Sequence, residues 1–413
     1  MISAKLLARK ACGALAQVTA FLPGTSAQFG VPRQFEVSTA NWFLKNHLNG
    51  KSGRMIITRG QNRFVEIDGG KISHRKAPIF VDEPLREKVA ASLEARWLPR
   101  FVASLNAGRY LGSCFGCVIT EDDTLLQDVS LNTANWGKEV TDRMEHNGFK
   151  RLPSPVNLRV DGEVIVLNTP FSSNFHHFLL DTLPRLGLCS EAGINWTSAK
   201  QIFTDYRQAS YQKEAFVKLG INLRSVMPTY PRLHVQAKVL HVPSISEPIC
   251  REQYIEYSKA GMEFVKSTIR PALHSRKKRR ILVSRRLAKC RRWLEEEEAL
   301  PELEAMGFTR VECESLSLEE QARLFGEAEA VIMPHGGGMA NCVFCDPGTK
   351  VFELFHPLYH PVFMISLSNV LGLDYHAIAG ESRDEDLLVN DLAAKVDVRI
   401  PAKKIISLLR RFL

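Results

Sequence analysis

Ala330-Val331-Ile332-Met333-Pro334-His335-Gly336-Gly337-Gly338-Met339-Ala340-Asn341 is the stretch from which the fold of this 413-residue chain can be read. Apolar residues up to Met333, ended by Pro334, predict a short buried strand. Three glycines follow, and then a helix start. Glycine leaves no Cβ in the way of a ligand approaching the backbone. The first N–H groups of a helix lack intrahelical partners and carry the positive end of its dipole, so this junction suits a diphosphate. Lys350-Val351-Phe352-Glu353-Leu354 follows about one strand later and sets a carboxylate near a strand end, where a ribose diol could be held. The competing reading is a purely structural turn, since Gly336-x-Gly338-x-x-Asn341 is a broken version of the dinucleotide fingerprint.

Outward from the turn, the last third alternates regularly. Strand 280–284 leads to a helix at 295–306, strand 308–313, helix 317–327, strand 329–333, the glycine loop with its helix, and strand 349–354. Such a βαβαβ series implies a parallel sheet with right-handed crossovers, and it puts the glycine loop at the C-terminal end of a strand. The acidic run Glu295 to Glu298 then has a structural explanation in the first turn of its helix.

A second stretch stands out: Asn174-Phe175-His176-His177-Phe178-Leu179-Leu180-Asp181-Thr182-Leu183-Pro184-Arg185. On a helix, Asn174, His177, Asp181 and Arg185 form one polar stripe, because residues three and four apart share a face. Phe175, Leu179, Leu183 and Leu186 form an apolar stripe for the core, and Pro184 should bend or end the helix. A His–Asp pair at this spacing suits base chemistry, because the carboxylate orients the imidazole and supports its protonated form. A buried hydrogen-bonding cluster that fixes the helix would give the same pattern.

The remaining chain sets bounds. Its length allows two or three domains, 45% hydrophobic content is ordinary for a globular protein, and no solenoid repeat is present. No window approaches the roughly 18–20 apolar residues that span a bilayer. Lys5, Arg9 and Lys10 precede a mildly apolar run, Ala11 to Leu22, which Gln17 and Thr19 interrupt. That favours an ordinary or membrane-surface amphipathic helix over a cleaved leader. Nine scattered cysteines read as reduced thiols in a cytosolic protein. Cys114-x-x-Cys117 and Cys342-x-x-Cys345 have ligand-like spacing, yet their apolar contexts suit small buried thiols better than zinc. The net charge of +9 is concentrated, with ten Lys or Arg among the seventeen residues from Arg276 to Arg292. Such a block attracts phosphate, although most of a charged run is ordinarily a solvated face. Nucleic acid is a poor fit, because no aromatic platform, zinc finger or RNA-binding motif accompanies the block.

Residues 1–95 read as an N-terminal extension, 96–245 as an acceptor-side α/β domain, and 246–413 as a nucleotide-sugar-binding domain. Met55–Thr58 and Phe64–Ile67 suggest a hairpin, 84–107 has helical spacing, and Arg109 to Ser130 reads as antiparallel β.

Together and in this order, the two stretches resemble glycosyltransferase family 61, in a bacterial capsular or exopolysaccharide type of member. The resemblance rests on Asn174-x-x-His177-x-x-x-Asp181-x-x-Pro184-Arg185, then Ser284-Arg285-Arg286 with Arg291-Arg292 and Leu316-Ser317-x-x-x-Gln321. His335-Gly336-Gly337-Gly338-Met339-Ala340-Asn341 and Pro347-Gly348-Thr349-x-Val351-x-Glu353 complete it. It covers roughly residues 105–400. The family loop looks like His-Gly-Ala-Gly-Leu-Thr-Asn, so Gly337, Met339 and Ala340 are departures, and Ala340 lacks a hydroxyl donor.

The resemblance implies a GT-B architecture, two Rossmann-like domains facing across a cleft, and an enzyme that inverts the anomeric carbon without a metal or other cofactor. The co-substrate would be a nucleotide sugar, UDP-linked, and the acceptor a hydroxyl on a capsule, lipopolysaccharide or exopolysaccharide chain. His177 or Asp181 would be the base; His177 is favoured, oriented by Asp181, because an imidazole titrates near neutral pH. Arg285, Arg286 and the backbone of Gly336, Gly337 and Gly338 would neutralise the diphosphate, with Ser284 also on the donor-binding side. Glu353 would take the ribose and His335 the phosphate or sugar. Asn341 would contact the donor or brace the loop helix, and Asn174 and Arg185 would lie on the acceptor side. A cytoplasmic protein resting on the inner membrane face through anionic lipid fits the basic surface.

The rivals fare worse. His335-Gly336-Gly337-Gly338 and Gly112-Ser113-Cys114-Phe115-Gly116 resemble hydrolase elements, but their order along the chain is reversed. A Rossmann dehydrogenase needs a tidier glycine fingerprint. A non-catalytic reader of nucleotides or glycans has no use for a His177/Asp181 base.

Overall fold

The computed structural model describes residues 32–44, 55–112, 116–130, 145–149, 155–169, 171–245, 256–272, 278–357, 359, 361, 363–381 and 396–413. The N-terminal amphipathic stretch, Cys114, Arg276 and Lys277 lie outside them. The chain is mixed α/β and forms two compact units, one of Met1–Lys71 with Leu98–Glu252, the other of Ile72–Trp97 with Gln253–Leu413. Residues 32–71 thus belong to the first unit and 72–97 to the second, which divides the expected N-terminal extension between the two.

The first unit is built on four parallel strands: β1 (Leu158–Val166), β2 (Gln201–Thr204), β3 (Val226–Pro228) and β4 (His234–Pro243). Their spatial order is β3-β2-β1-β4. In β1 the residues to Glu163 alternate in exposure, whereas Val164, Ile165 and Val166 are all buried. Apolar side chains on consecutive positions mark a strand covered on both faces. The crossover from β1 to β2 holds helix α1 (Pro184–Glu191), and α2 (Ser210–Lys218) joins β2 to β3. On its other edge β4 meets two antiparallel strands, Arg100–Asn106 along its C-terminal half and Arg109–Leu111 along its N-terminal half. The hairpin Ile56–Arg59 and Asn62–Asp68 extends the sheet beyond Arg100–Asn106. Phe64, Phe101, Val164 and Leu240 are among the residues that fill the core beneath it.

The helical spacing over 84–107 is not realised as one helix. A 3-10 turn and a short helix run from Glu83 to Ala91, then come strands Glu94–Trp97 and Arg100–Asn106. Arg100–Asn106 is sandwiched between β4 and Asn62–Asp68, and all but its last residue are buried. Pairing on both edges outweighs the local helical pattern.

The second unit holds six parallel strands. β5 (Arg279–Val283), β6 (Phe308–Val311), β7 (Ala328–Pro334), β8 (Lys350–Phe355) and β9 (Asp374–Ala379) lie in the order β6-β5-β7-β8-β9, and Phe80–Val81 pairs with β9 at the edge. Helices α3 (Lys259–Ile269), α4 (Glu296–Ala305), α5 (Leu318–Gly326), α6 (Phe363–Leu371) and α7 (Ala402–Phe412) complete it. This is the doubly wound order in which chain direction across the sheet reverses between the first and third strands, here β5 and β7. Ser317 caps α5 with a reciprocal capping box to Glu320. Three glutamates in the first turn of α4 face its dipole favourably, as expected. No helix among the described residues is long and apolar enough to cross a membrane.

One core residue makes this unit sensitive to acid. His376 on β9 is 1% exposed, stacks on Phe352 at 4.4 Å, and spends its Nδ1 hydrogen on the Asp374 carbonyl. Its Nε2 has no hydrogen-bond partner among the described residues, and burial pulls the imidazole down to about 4. The folded state therefore keeps His376 neutral while the unfolded chain takes up a proton below about pH 6.5. The stability contribution is complete above that pH and falls as the pH drops towards 4, by up to about 3 kcal/mol. Urea unfolding at pH 7, 5.5 and 4 should show this loss in the wild type and a much smaller one in His376→Phe. Equal pH dependence in both proteins would refute it.

Candidate functional site

In the first unit, the chain leaves β1 and enters a helical segment whose middle is not α-helical. Phe175–His177 is α, Phe178–Thr182 is π, and α1 resumes at Pro184. Leu183 N donates to Phe178 O five residues back, at 3.0 Å. Pro184 has no N–H to donate, and the wider turn absorbs this defect, so the helix continues to Glu191 instead of ending at the proline. Single π turns recur at functional sites.

His177 Nδ1 lies 2.6 Å from Asp181 Oδ2 within this segment. The Asp181 side chain is 1% exposed and that of His177 is 23% exposed. Burial pushes the Asp181 carboxyl up, and contact with His177 partly offsets this. Its Oδ1 has no hydrogen-bond partner among the described residues. The buried carboxylate fixes the imidazole with Nδ1–H donating and the Nε2 lone pair as the basic position. Thr182 Oγ1 donates to His177 O, and Thr169 Oγ1 lies 3.0 Å from Thr182 Oγ1, which ties the segment to the strand behind it.

The other members of the polar stripe have structural duties. Asn174 is the helix N-cap, its side chain accepting from His176 N at 2.9 Å. Arg185 is 1% exposed and donates to three backbone carbonyls, Asn168 O, Pro243 O and Ser244 O. Those carbonyls follow β1 and end β4, the adjacent strands where this sheet reverses, so Arg185 ties the two strand ends together. Burial pulls its guanidinium down to about 10.

In the second unit the glycine turn sits at the C-terminal end of β7, beside the end of β5, as the sequence predicted. The segment behind it, Gly337–Phe344, is a 3-10 helix instead of an α-helix. Arg285, just after β5, lies against the turn: a Cβ built on Gly336 would fall 2.1 Å from Arg285 Nη1. Arg285 Nε and Nη2 donate to Arg291 O and Cys290 O, which holds the guanidinium in place. Arg291 has a left-handed φ of 57° and a buried Nε with no hydrogen-bond partner among the described residues. Its guanidinium stands 5.7 Å from the Tyr359 ring, and Tyr359 stands edge-on to His335 at 5.5 Å. Burial first, and then the Arg291 charge, lower the Arg285 guanidinium below its ordinary value.

The described arginines of the basic block therefore sort into two groups. Arg279, Arg280, Arg286 and Arg292 each hold a carboxylate, on Glu327, Glu329, Glu312 and Asp397 respectively. Among the described residues, neither Arg285 nor Arg291 makes an ion pair. Two like charges beside a glycine turn, with Glu314 and Asp397 acting on Arg285 only at longer range than an ion pair, are suited to an anion. Ser284 does not join them. Its hydroxyl donates to buried Glu296 and accepts from Arg286 N.

Glu353 on β8 is fully buried, with Oε1 on His335 Nδ1 at 2.5 Å and Oε2 accepting from Tyr375 Oη. Both oxygens are thereby engaged within the protein, and what they fix is the His335 ring, which also stacks on Phe355. Burial and the Glu353 charge raise the Tyr375 phenol well above its ordinary value, so it remains a donor. Asn341 braces the turn, giving its amide N–H to Gln321 Oε1 on α5. Cys342 and Cys345 are buried free thiols. Contact with Cys345, then burial, hold the Cys342 thiol well above the usual range. Among the described residues no group of three or more His, Cys, Asp or Glu could hold a metal ion.

The structure thus brings together His177 with Asp181 in one unit, and Arg285, His335, Gly336 and Glu353 in the other. Arg291, Tyr359 and Tyr375 join the second group. Arg291 was visible only as one basic residue among ten, and no local pattern marks the two tyrosines: Tyr375 arrives through the sheet order, on β9 beside β8, and Tyr359 from the segment that follows β8.

Residues 175–352 match the family model described as Glycosyltransferase 61. The curated protein named Beta-1,2-xylosyltransferase RCN11, from Oryza sativa subsp. japonica, is 36% identical over 63 residues, which cover 15% of this chain and 12% of that protein. The chain thus aligns with only about an eighth of the length of this relative.

Proposed function

Residues 175–352 carry a glycosyltransferase 61 domain, and from that premise we propose that the chain moves a sugar from a nucleotide-sugar donor to a hydroxyl of a glycan or glycolipid. The donor is a UDP-sugar and the acceptor a surface polysaccharide or its lipid-linked precursor. The observation that supports this best is the couple Arg285 and Arg291 near the Gly336 turn, which make no ion pair among the described residues. In open α/β sheets such a position, outside the strand ends where chain direction reverses, is where ligands bind.

Donor binding is assigned to the second unit and acceptor activation to the first, the division of labour of a GT-B enzyme. His177 Nε2 takes the proton of the acceptor hydroxyl, and Asp181 stabilises the imidazolium that forms. The acceptor oxygen attacks the anomeric carbon as the bond to the diphosphate breaks, a single displacement that inverts the centre. Charge that develops on the leaving diphosphate falls to Arg285, Arg291 and the backbone N–H groups of the turn. The two guanidiniums supply the electrostatic role that a metal plays elsewhere, and no cofactor is assigned. Glu353 orients His335, as a carboxylate does for a ring that must present one nitrogen. His335 then meets the donor phosphate or sugar. The basic surface keeps the enzyme at the cytoplasmic face of an anionic membrane.

The test is nucleotide release from a panel of sugar nucleotides, with thermal stabilisation by UDP measured alongside. One donor should be turned over, and UDP at a hundred times its dissociation constant should add about 2.7 kcal/mol of stability. If no sugar nucleotide turns over and neither UDP nor another nucleotide shifts the unfolding transition, the turn is structural and the proposal fails.

A further inference from the structure

We propose that Phe171 is the platform on which a pyranose ring of the acceptor stacks, with one of its hydroxyls presented to His177. This rests on the glycosyl-transfer reading and adds the contact that positions the acceptor. Six described non-glycine residues have a positive φ, and Phe171, at 58°, is the aromatic one among them. A bulky residue in the left-handed region is a true outlier, and such strain persists only where surrounding structure enforces it. Here the turn is enforced from both sides: Asn174 N donates to Phe171 O at 2.7 Å, and Ser172 N donates to Thr169 O. The strain does not serve the core, because Phe171 is 47% exposed. What it achieves is placement. The Phe171 ring centroid lies 5.5 Å from that of His177, the planes inclined at 37°.

A half-exposed aromatic ring beside a base has a definite chemistry. The ring face is electron-rich and attracts the polarised C–H bonds that line one side of a pyranose. The hydroxyls of such a stacked sugar project from its rim, within reach of a neighbouring imidazole. Glycine at the same position would keep the turn and relax the backbone, yet it would remove the platform. Stability and acceptor binding are therefore predicted to respond in opposite directions to one substitution.

The probes are methyl β-glucopyranoside, β-galactopyranoside, β-xylopyranoside and α-mannopyranoside, each mixed with the full-length chain and read by saturation-transfer NMR. At least one should receive saturation on the protons of a single ring face in the wild type. Phe171→Ala should weaken that transfer about fivefold or more, and Phe171→Trp should restore it. Phe171→Gly should lose it while melting at or above the wild-type temperature. No transfer to the wild type, equal transfer to Phe171→Ala, or a Phe171→Gly variant that keeps it would each overturn the proposal. UDP stabilisation of the same samples separates the two readings. Its absence from the wild type counts against the transferase, whereas its presence with an unchanged glycoside signal in Phe171→Ala removes the platform alone.

Discussion

His177→Ala is expected to lower turnover by a factor of roughly 10²–10⁴, the usual contribution of a positioned general base, while UDP stabilises the variant as it does the wild type. The split follows from where the residue lies. His177 belongs to the first unit, and the residues assigned to the nucleotide belong to the second. Asp181→Asn sharpens the experiment, because its effects on activity and stability should have opposite signs. Burial raises the folded-state pKa of Asp181 above its ordinary value. A carboxyl shifted upward costs stability once the pH has risen through the unfolded and then the folded pKa, so at neutral pH the folded chain bears that cost. Asparagine removes the charge at nearly constant shape. Asp181→Asn should therefore match or exceed the wild type in urea unfolding at pH 7, while its turnover falls because the imidazole loses its support. Below about pH 4 the stability advantage should vanish, since Asp181 is then protonated in both states. A protein that only reads nucleotides or glycans would show no turnover to lose. Unchanged turnover in His177→Ala would remove it from the base role, and a large stability loss in both variants would make the pair a structural cluster.

The sequence made some of this legible and concealed the rest, for identifiable reasons. The alternation from β5 to β8 was readable because each strand is a short apolar run punctuated by a glycine, a proline or a charged helix start. That alone placed the glycine turn at a strand end. His177 and Asp181 were readable because a four-residue separation survives even the π turn between them. Arg185 and Glu353 were visible as charged residues in apolar contexts, but sequence does not say whether a buried charge faces a ligand or the protein. Arg185 finds three carbonyls on two strands that are distant in sequence, and Glu353 finds Tyr375 only because β9 lies beside β8. Arg100–Asn106 shows the converse failure. Covered on both sides, it has no alternation to distinguish it from a helix, and only its pairing partners decide the matter. Phe171 carried no signal at all, since a left-handed backbone at phenylalanine is a property of the folded turn.

The glycine turn offers a second decisive contrast, because two of its glycines should behave differently. A Cβ on Gly336 would lie 2.1 Å from Arg285 Nη1, whereas one on Gly338 would come no nearer than 3.7 Å to Met333 Cε and 4.0 Å to Val283 Cγ1. The first distance is far inside van der Waals contact and the others are ordinary ones. Gly336→Ala must therefore displace the Arg285 guanidinium, and Gly338→Ala displaces nothing. The displaced atoms end a flexible side chain held by two carbonyls at 3.2 Å, so the cost to folding should be small. The cost to an anion should not be. A charge-assisted hydrogen bond is worth about 1.5–3 kcal/mol, so UDP affinity should fall roughly 10- to 100-fold in Gly336→Ala. Arg285→Ala should lose a similar amount, and the double variant little more than either, because both changes remove one interaction. Gly338→Ala should bind UDP as the wild type does. Calorimetric titration of the four variants and the wild type with UDP decides among the alternatives. Equal losses at Gly336 and Gly338 would mean that the turn as a whole was disturbed. Additive losses in Gly336→Ala and Arg285→Ala would mean that the two residues act on the nucleotide separately. Wild-type affinity in Gly336→Ala would show that the guanidinium at this turn does not hold the diphosphate.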